Sequence, residues 1–305
     1  MAQLDIVTGA FSYSGAAIAR ELLGRGHEVR TLTGHADRAP AGTPIECRPL
    51  AFSSAGELSQ SMAGAHTLYN TYWVRFAHGS VTHEVAVANS KVLFAAAASA
   101  GVRRIVHVSI TNPSATAADS YFRGKAAVEE ALTRCGVSYA IARPAVLFGG
   151  DGVLINNIAW LLRRLPVFGI GGRGDYRLRP VHVDDLARLC VQLGASTDAV
   201  VVDAVGPEAL TFRRLVEEIR AAVGSRSVIV PVPGALIPML AATLNVVLND
   251  TLLTADEYRS MAAGLADSAG PATGKTVLTE WVREHAGELG RRYANELDRH
   301  FRAAR

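Results

Sequence analysis

The stretch TGAFSYSG, residues 8–15, follows a short apolar run and decides the fold. It has the pattern TGxxGxxG, with Ser12 in the place of the middle glycine. The first glycine of such a loop allows a tight turn from strand to helix, the middle one lets the backbone approach a pyrophosphate, and the last lets helix and strand pack closely. The first amides of the helix then point at phosphate. We therefore expect a dinucleotide site here, and the alternative is a plain turn.

Strand and helix signals alternate through the first half of the chain. Apolar runs between turn residues predict the strands, and helical periodicity ended by glycine predicts the helices. The predicted strands are 4–8, 28–33, 45–50, 67–72, 104–109 and 139–142, and the predicted helices are 14–25, 54–64, 82–100 and 120–135. This alternation is typical of the α/β class with a doubly wound parallel sheet of the Rossmann type.

The second half of the chain is less regular. It contains predicted helices at 154–164, 183–193 and 211–223 and a predicted glycine-rich loop at 169–174. We expect residues 1–150 to form an NAD(P)-binding domain. Residues 151–305 are expected to return to the sheet around 175–205 and otherwise to form a smaller, mostly helical substrate domain.

Composition and charge exclude several classes of protein. With 49% hydrophobic residues and a formal net charge of +3 over 305 residues, the chain is neither disordered nor a basic nucleic-acid-binding protein. Its cysteines, Cys47, Cys135 and Cys190, have neither zinc-site nor disulfide spacing. The longest apolar segment, 235–248, is shorter than the roughly 20 residues that span a membrane. With no signal-peptide pattern at residue 1, we expect a cytoplasmic protein without a membrane span.

The end of the second predicted strand bears on the choice of nucleotide. NAD enzymes usually place Asp or Glu there, to bind the 2′-hydroxyl of the adenosine ribose. Residues 31–35, TLTGH, hold no acid, whereas Arg30, His35 and Arg38 are basic groups suited to a 2′-phosphate. Thr33 ends the strand at the same predicted site. The pattern favours NADP over NAD, and the alternative is that the arginines are surface charges.

The segment YFRGK, residues 121–125, begins the helix after the fifth predicted strand. Residues four apart share a face of a helix, so the Tyr121 phenol and the Lys125 ammonium are expected to point into one site. A neighbouring cation favours the phenolate and makes a tyrosine usable as an acid or base near neutral pH. Doubly wound sheets bind ligands at this carboxyl edge. We expect a catalytic pair, and the alternative is an exposed surface pair.

Two hydroxyl residues, Ser109 and Thr111, end the fifth predicted strand. Side chains two apart on a strand face the same way, so both are candidates to hold a substrate carbonyl while Tyr121 passes a proton. The alternative is that they satisfy a turn before Pro113.

Two other segments have both a structural and a functional interpretation. The residues YWVRF at 72–76 are either an aromatic wall for the substrate or ordinary packing. The residues HVDD at 182–185 are explained by the capping and dipole of a helix start, so we expect no metal site.

The order of these motifs resembles that of the short-chain dehydrogenase/reductase superfamily, in its extended and atypical branches. These branches include NAD-dependent epimerases and dehydratases and the NmrA-like proteins. YAIARPAVLFG at 139–149 is similar to the family segment LRPxxxYG, and PVHVDDLA at 180–187 is similar to its hVdDvA helix start. The matching motifs extend over about residues 1–225.

The resemblance implies a role for each matching residue. Tyr121 would be the catalytic acid or base, Lys125 would hold the nicotinamide ribose and favour the phenolate, and Thr111 aligns best with the catalytic hydroxyl of the family. Asn70 and Thr71 would lie near the adenosine-side ribose. The implied cofactor-binding residues are Thr8, Gly9, Phe11, Ser12, Tyr13, Gly15, Thr33, His35, Arg38, Asn70, Thr71, Lys125, Arg143 and Pro144.

One segment departs from the nucleotide-sugar enzymes of this superfamily. They usually carry Arg-Asp-Phe before the hVdD segment, whereas this chain has LRP at 178–180, which argues against a nucleotide-sugar substrate. The run YRLRPVHVDDLA at 176–187 is instead similar to the accessory subunit of respiratory complex I. That subunit binds NADPH and is not thought to turn it over.

Three functions remain open from the sequence. The first is an NAD(P)-dependent oxidoreductase that transfers hydride between nicotinamide and a small carbonyl or hydroxyl substrate. The second is an NAD(P)H-binding structural or regulatory protein without turnover, and the third is an epimerase or dehydratase that retains NAD. The expected ligand is a small molecule. The candidate protein partners are a second copy of the chain, packed through the helices at 82–100 and 120–135, and another protein.

Overall fold

The computed structural model describes residues 2–300, and their side chains up to residue 298. These residues divide into two compact units. The first contains the chain up to Pro144 together with Val183–Ala204, and the second contains Ala145–His182 together with the chain from Val205 onward. The chain therefore leaves the first unit after Pro144, returns for one helix and one strand, and leaves again.

Regular structure occurs throughout residues 2–300. The strands are β1 (Leu4–Thr8), β2 (Glu28–Thr33), β3 (Glu46–Pro49), β4 (Thr67–Asn70), β5 (Arg104–Val108), β6 (Ser138–Pro144), β7 (Leu147–Phe148), β8 (Val167–Gly171), β9 (Arg177–Leu178), β10 (Val181–His182), β11 (Val200–Ala204), β12 (Leu210–Thr211) and β13 (Val228–Val232). The α-helices are α1 (Tyr13–Gly24), α2 (Ala55–Ser61), α3 (His83–Ser99), α4 (Ser120–Thr133), α5 (Val153–Arg164), α6 (Val183–Ala195), α7 (Phe212–Ala222), α8 (Ile237–Leu248), α9 (Ala255–Ala262), α10 (Leu278–Glu284) and α11 (Glu296–His300). Across the described residues, no helix has both the length and the apolar character needed to cross a membrane.

The first unit is built on a parallel sheet. Within the described residues its strands lie in the order β11-β6-β5-β4-β1-β2-β3, and each neighbouring pair is parallel. The chain therefore builds one half of the sheet outward from β1 and the other half outward from β4. In such a sheet the crevice at the carboxyl ends of β1 and β4 is the usual ligand site. The predicted doubly wound parallel sheet is confirmed.

Helices cover the sheet of the first unit. Helix α1 packs against α6, and α3 packs against α2 and α4. Parallel strands are apolar on both faces, which explains why the central strands read as continuous apolar runs. The core beneath α2, α3 and α4 contains side chains with no exposed surface, among them Ile6, Leu32, Leu58, Met62, Leu68, Leu93 and Ile105.

The second unit has its own core and three short strand pairs. Strands β7 and β10 pair in parallel, as do β8 and β13, whereas β9 and β12 are antiparallel. Helices α5, α7 and α10 contribute to one apolar cluster. Its most buried members include Phe148, Ile155, Leu178, Leu215, Val216 and Ile219.

The structure of the glycine-rich segment 169–174 differs from the prediction. We expected a loop, but residues up to Gly171 belong to β8. A Cβ on Gly169 would lie 2.9 Å from the Val232 side chain, and one on Gly171 would lie 2.1 Å from the Tyr258 hydroxyl. These glycines therefore allow close packing against a strand and a ring, which a short sequence window does not reveal.

Candidate functional site

Close backbone contacts hold the turn between β1 and α1. Gly9 has a φ of +64°, in the left-handed region that favours glycine. A Cβ on Gly15 would lie 2.1 Å from the Gly9 carbonyl oxygen, so only glycine lets α1 approach the end of β1 this closely. The Ser12 hydroxyl donates to the same Gly9 oxygen at 2.6 Å. The sequence pattern therefore produces a compact strand-to-helix turn.

The N-terminus of α1 differs from those of its neighbours in the first unit. The side chains of Ser54, Thr82 and Asp119 cap α2, α3 and α4. Ser12, at the same position of α1, makes no cap hydrogen bond because its hydroxyl bonds Gly9 instead. A helix N-terminus attracts anions through its amides and its dipole. The turn therefore fits a nucleotide pyrophosphate, and Ser12 in place of the middle glycine does not cap the helix end.

A buried network joins the carboxyl ends of β1 and β4. The Thr8 hydroxyl donates to Asn70 Oδ1 at 3.2 Å and accepts from the backbone amides of Thr71 at 2.7 Å and Tyr72 at 3.1 Å. Asn70 Nδ2 donates to His107 Nδ1 at 3.1 Å. Thr8 and Asn70 are fully buried, and Thr71 is half-buried. The structure thus brings together three predicted cofactor residues at the switch point, where Thr8 and Asn70 also fix the backbone.

The predicted ribose-binding residues follow the end of β2. The Thr33 hydroxyl accepts from the His35 amide at 2.9 Å and so fixes the turn. His35 is exposed, and Arg38 lies half-buried in the 3-10 helix Ala36–Arg38. Strand β2 is the direct neighbour of β1 in the sheet, so these residues lie at the same carboxyl edge as the turn 8–15.

The side chain of Arg30 makes contacts that the sequence did not indicate. It was a candidate for the 2′-phosphate, with a surface charge as the alternative. Its Nε instead donates to Glu46 at 2.7 Å, and its Nη1 donates to the carbonyls of Ser61 and Ala63. Arg30 therefore ties β2 to β3 and to the end of α2, and its guanidinium is committed to those contacts.

Helix α4 positions the predicted catalytic pair. Asp119 caps the helix by accepting from the Tyr121 amide at 2.8 Å, which places Tyr121 in the first turn. One turn later, Lys125 is 3% exposed and its Nζ donates to the carbonyl oxygen of Val108, the last residue of β5, at 3.0 Å. Tyr121 is half-buried. The pair is thus anchored at the carboxyl edge of the sheet rather than exposed.

Trp73 and His83 form an aromatic corner with Tyr121. The Trp73 and His83 rings are parallel within 2° with centroids 5.7 Å apart, and the Tyr121 ring stands at 90° to the first and 89° to the second. Lys125 Nζ lies 4.7 Å from the centre of the Trp73 ring, a cation–π contact. A Cβ on Gly124 would lie 2.7 Å from Trp73, so this glycine admits the indole against α4.

The two candidate hydroxyls, those of Ser109 and Thr111, follow the end of β5. The Ser109 amide donates to the Ala142 carbonyl at 2.8 Å and the Thr111 amide donates to the Pro144 carbonyl at 3.0 Å, so pairing with β6 continues past the end of β5. Thr111 is fully buried and Ser109 is 4% exposed. Pro144, a predicted cofactor residue, is therefore held next to Thr111 by the backbone.

Lys125, Glu129 and Arg143 form a row of interacting charged side chains. Burial lowers the pKa of Lys125 to about 7, and the charge of Glu129 opposes that change. Glu129 accepts two hydrogen bonds from Arg143, at 2.9 Å from Nε and 2.5 Å from Nη2. The pKa of His107 lies well below its usual value, mainly because the imidazole is buried and also because of the nearby charge of Lys125. Arg143, a predicted cofactor residue, thus holds the carboxylate that favours the charged form of Lys125.

Residues 9–159 match the model of a protein family described as NAD(P)H-binding. The matched range contains the turn, the switch point and the predicted catalytic pair. Over these residues, 151 of 305, the chain is similar to NAD(P)H-binding proteins. This similarity confirms the predicted resemblance to NAD(P)-binding proteins.

Solved structures share the fold of this chain. The NADPH-dependent quinone oxidoreductase of Escherichia coli, complexed with NADPH, is 18% identical with a TM-score of 0.76, over 92% of this chain and 99% of that one. The triphenylmethane reductase of Citrobacter sp., complexed with NADP(H), is 18% identical with a TM-score of 0.72, again over 92% and 99%.

A mitochondrial protein is similar in sequence. NADH dehydrogenase (ubiquinone) 1 alpha subcomplex subunit 9 of Arabidopsis thaliana is 24% identical over 226 residues, which are 69% of this chain and 56% of that protein. The chain spans between 46% and 66% of the length of the relatives it matches by sequence.

The buried amine of Lys125 makes the free energy of unfolding depend on pH in a defined direction. Its pKa is about 7 in the folded chain and about 10.4 in the unfolded chain. Between these values the unfolded chain binds more protons, so the free energy of unfolding rises with pH, by up to about 1.4 kcal/mol per pH unit. We expect Lys125→Met to remove this rise and to stabilise the fold near neutral pH.

Urea unfolding between about pH 6 and pH 9 measures this effect. Lys91 is an exposed lysine of α3, so Lys91→Met is the matched control and should keep the pH dependence of the wild type. Equal pH dependence in the wild type and Lys125→Met would contradict the burial of an ionisable amine at this position.

Sequence reasoning missed His83 and Glu129. His83 follows the N-cap Thr82, and nothing local indicates that its ring stacks on Trp73 and meets Tyr121. Glu129 lies four residues after Lys125, a helical spacing that signals an ion pair, but its contact with Arg143 arises only when α4 packs on β6. The helical spacing was thus the one usable local signal.

Proposed function

We propose that this chain is an NAD(P)H-dependent reductase of carbonyl compounds. The observation that carries the proposal is the placement of Tyr121 and Lys125, one helical turn apart, at the carboxyl edge of the sheet that holds the nucleotide turn. The fold shared with a quinone oxidoreductase and a dye reductase supports the same class of reaction. Because a fold does not determine a function, the residues have to carry the argument.

The residues of the first unit divide the work of binding and proton transfer. Gly9, Ser12 and Gly15 would hold the pyrophosphate. Bound NAD(P)H supplies the hydride that reduces the substrate carbon. The Tyr121 phenol donates the proton that the carbonyl oxygen gains, and the charge of Lys125 stabilises the phenolate that remains.

The hydroxyls of Ser109 and Thr111 are the candidates to hold the substrate oxygen. Ser109 is the better placed of the two, since its hydroxyl has no hydrogen-bond partner among the described residues. A hydrogen-bond donor that is already in place beside the substrate oxygen stabilises the negative charge that develops there. Because this donor does not have to reorient during the reaction, the barrier is lower.

The preferred nucleotide is proposed to be NADPH. No acid lies within residues 31–35, and His35 and Arg38 follow the end of β2. Arginine suits a 2′-phosphate because its planar guanidinium offers several donors. The two solved neighbours were obtained with NADPH or NADP(H), which supports this choice.

Oxidation of NADPH in the presence of menadione tests the proposal, and malachite green, which takes hydride at a cationic carbon and has no carbonyl oxygen, tests hydride transfer alone. The first is a quinone and the second is a triphenylmethane dye, so they represent the compounds named for the two structural neighbours. We expect NADPH to be consumed in equal amount to the reduced acceptor, at a rate well above that without protein. If NADPH binds but no acceptor in a broad carbonyl panel is reduced, the proposal is wrong.

A second candidate is a structural or regulatory NAD(P)H-binding protein. Similarity to a subunit of mitochondrial NADH dehydrogenase favours it. Helix α8 also exposes apolar side chains, including Met239, Val246 and Val247, of which Val246 is 82% exposed. Copurification of a stable partner with bound nucleotide and without turnover would favour this function over the first.

A further inference from the structure

Two side chains that contact Tyr121 each carry a buried polar atom without a partner among the described residues. Among the described residues, Trp73 Nε1, His83 Nε2 and Ser109 Oγ are shielded from solvent and form no hydrogen bond. Native structures leave few buried polar groups unpaired, so such a group calls for a ligand or a functional role. Trp73 and His83 contact Tyr121 directly, and Ser109 follows the residue whose carbonyl binds Lys125.

Trp73 and His83 are both able to donate to a ligand. The indole nitrogen of Trp73 is only a donor. His83 Nδ1 lies 2.8 Å from the Ser120 hydroxyl. When Ser120 donates to Nδ1, the proton of the neutral imidazole is on Nε2, which is then also a donor. Two donors on parallel rings favour a ligand with acceptor oxygens.

The charges and surfaces of the corner point to the same ligand. Lys125 Nζ lies against the Trp73 ring, and the Glu129 carboxylate is occupied by Arg143. The walls are the rings of Trp73, His83 and Tyr121, which favour a planar aromatic body. A planar compound with carbonyl oxygens satisfies both the aromatic walls and the donors.

We propose that Trp73 and His83 form a binding site for the oxygens of a planar aromatic carbonyl substrate, with Ser120 fixing the ring of His83. This inference rests on the proposed reductase function and names its substrate class. Trp73 lies in the connection 71–82 between β4 and α3, where one bridge between His78 and Val81 is the only strand-like pairing of these residues. Both nitrogens are shielded from solvent, so a ligand reaches them only when this connection moves.

Binding of two matched compounds tests the site without turnover. Anthraquinone-2-sulfonate has two carbonyl oxygens, and anthracene-2-sulfonate has the same ring system and sulfonate without them. Isothermal titration of the full chain, in the presence of NADP⁺, measures both affinities. We expect the wild type to bind the anthraquinone about tenfold more tightly, since hydrogen bonds to the oxygens distinguish the two.

Substitutions assign that preference to single nitrogens. His83→Phe and Trp73→Phe keep an aromatic ring and should each remove most of the preference. His83→Gln keeps a polar group near the position of Nε2 and should retain part of it, whereas His83→Asn mimics Nδ1 and should not. If His83→Phe does not fold, Trp73→Phe carries the test alone.

Three results would overturn the inference. They are equal binding of the two compounds to the wild type, no measurable binding of either, and a preference that survives both phenylalanine substitutions. A failure of the proposed function is distinguished by a separate experiment. That experiment measures the reduction of menadione and malachite green, whereas this one measures the difference in affinity between the two anthracene compounds.

Discussion

Replacing Tyr121 with phenylalanine is expected to lower kcat by about 10²- to 10⁴-fold, the usual contribution of a positioned acid or base. The phenyl ring preserves the edge contacts with Trp73 and His83, so the aromatic corner keeps its shape. Only the hydroxyl that donates the proton is lost. The KM for the carbonyl acceptor should therefore change little, and the loss should appear in kcat measured by NADPH oxidation.

A second tyrosine provides the control for this substitution. Tyr139 lies on β6 and packs against the core of the first unit, away from the residues placed at the nucleotide turn and the aromatic corner. Tyr139→Phe removes the same hydroxyl and should keep the kcat of the wild type. An unchanged kcat in Tyr121→Phe would show that the proton comes from another group.

Replacing Gly15 with alanine is expected to weaken NADPH binding by at least about 100-fold, or about 2.7 kcal/mol. The added methyl group would lie 2.1 Å from the Gly9 carbonyl oxygen and 3.0 Å from the Ser12 hydroxyl. Both neighbours belong to the turn itself, so α1 has to move away from β1 and the helix amides leave the pyrophosphate position. Titration of nucleotide fluorescence measures the affinity.

Gly24 is the matched control on the same helix. It is exposed near the end of α1, and a Cβ there would meet no atom within 4 Å. Gly24→Ala should keep the nucleotide affinity and raise stability by up to about 0.5–1 kcal/mol, because glycine is unfavourable in a helix. If Gly15→Ala binds NADPH like the wild type, the turn 8–15 is not the pyrophosphate site.

The sequence predicted the part of the fold that depends on local pattern. Strands β1 and β2 begin and end where their apolar runs do, and α2 lies within the predicted helix 54–64. The predicted loop at 169–174 was wrong, because residues up to Gly171 form β8. This strand pairs with β13, which lies more than 50 residues away in the chain. Pairing over that distance leaves no signal in a short window, and glycine then suggests a loop.

The candidate site shows the same division between local and long-range information. The helical spacing of Tyr121 and Lys125 placed both on α4, and the structure anchors Lys125 at β5. Arg30 was a candidate for the nucleotide because it lies on β2, but its guanidinium binds Glu46 on β3. His83 was missed because its contacts arise only when α3 packs beside α4.

Titration of the wild-type protein with NADPH and with NADH tests the central claim most directly. The account predicts saturable binding of NADPH at micromolar strength or better, and weaker binding of NADH, because no acid within residues 31–35 is available to bind the 2′-hydroxyl of NADH. Binding of neither nucleotide at millimolar concentration would contradict the claim that the turn 8–15 and the switch point form a working nucleotide site.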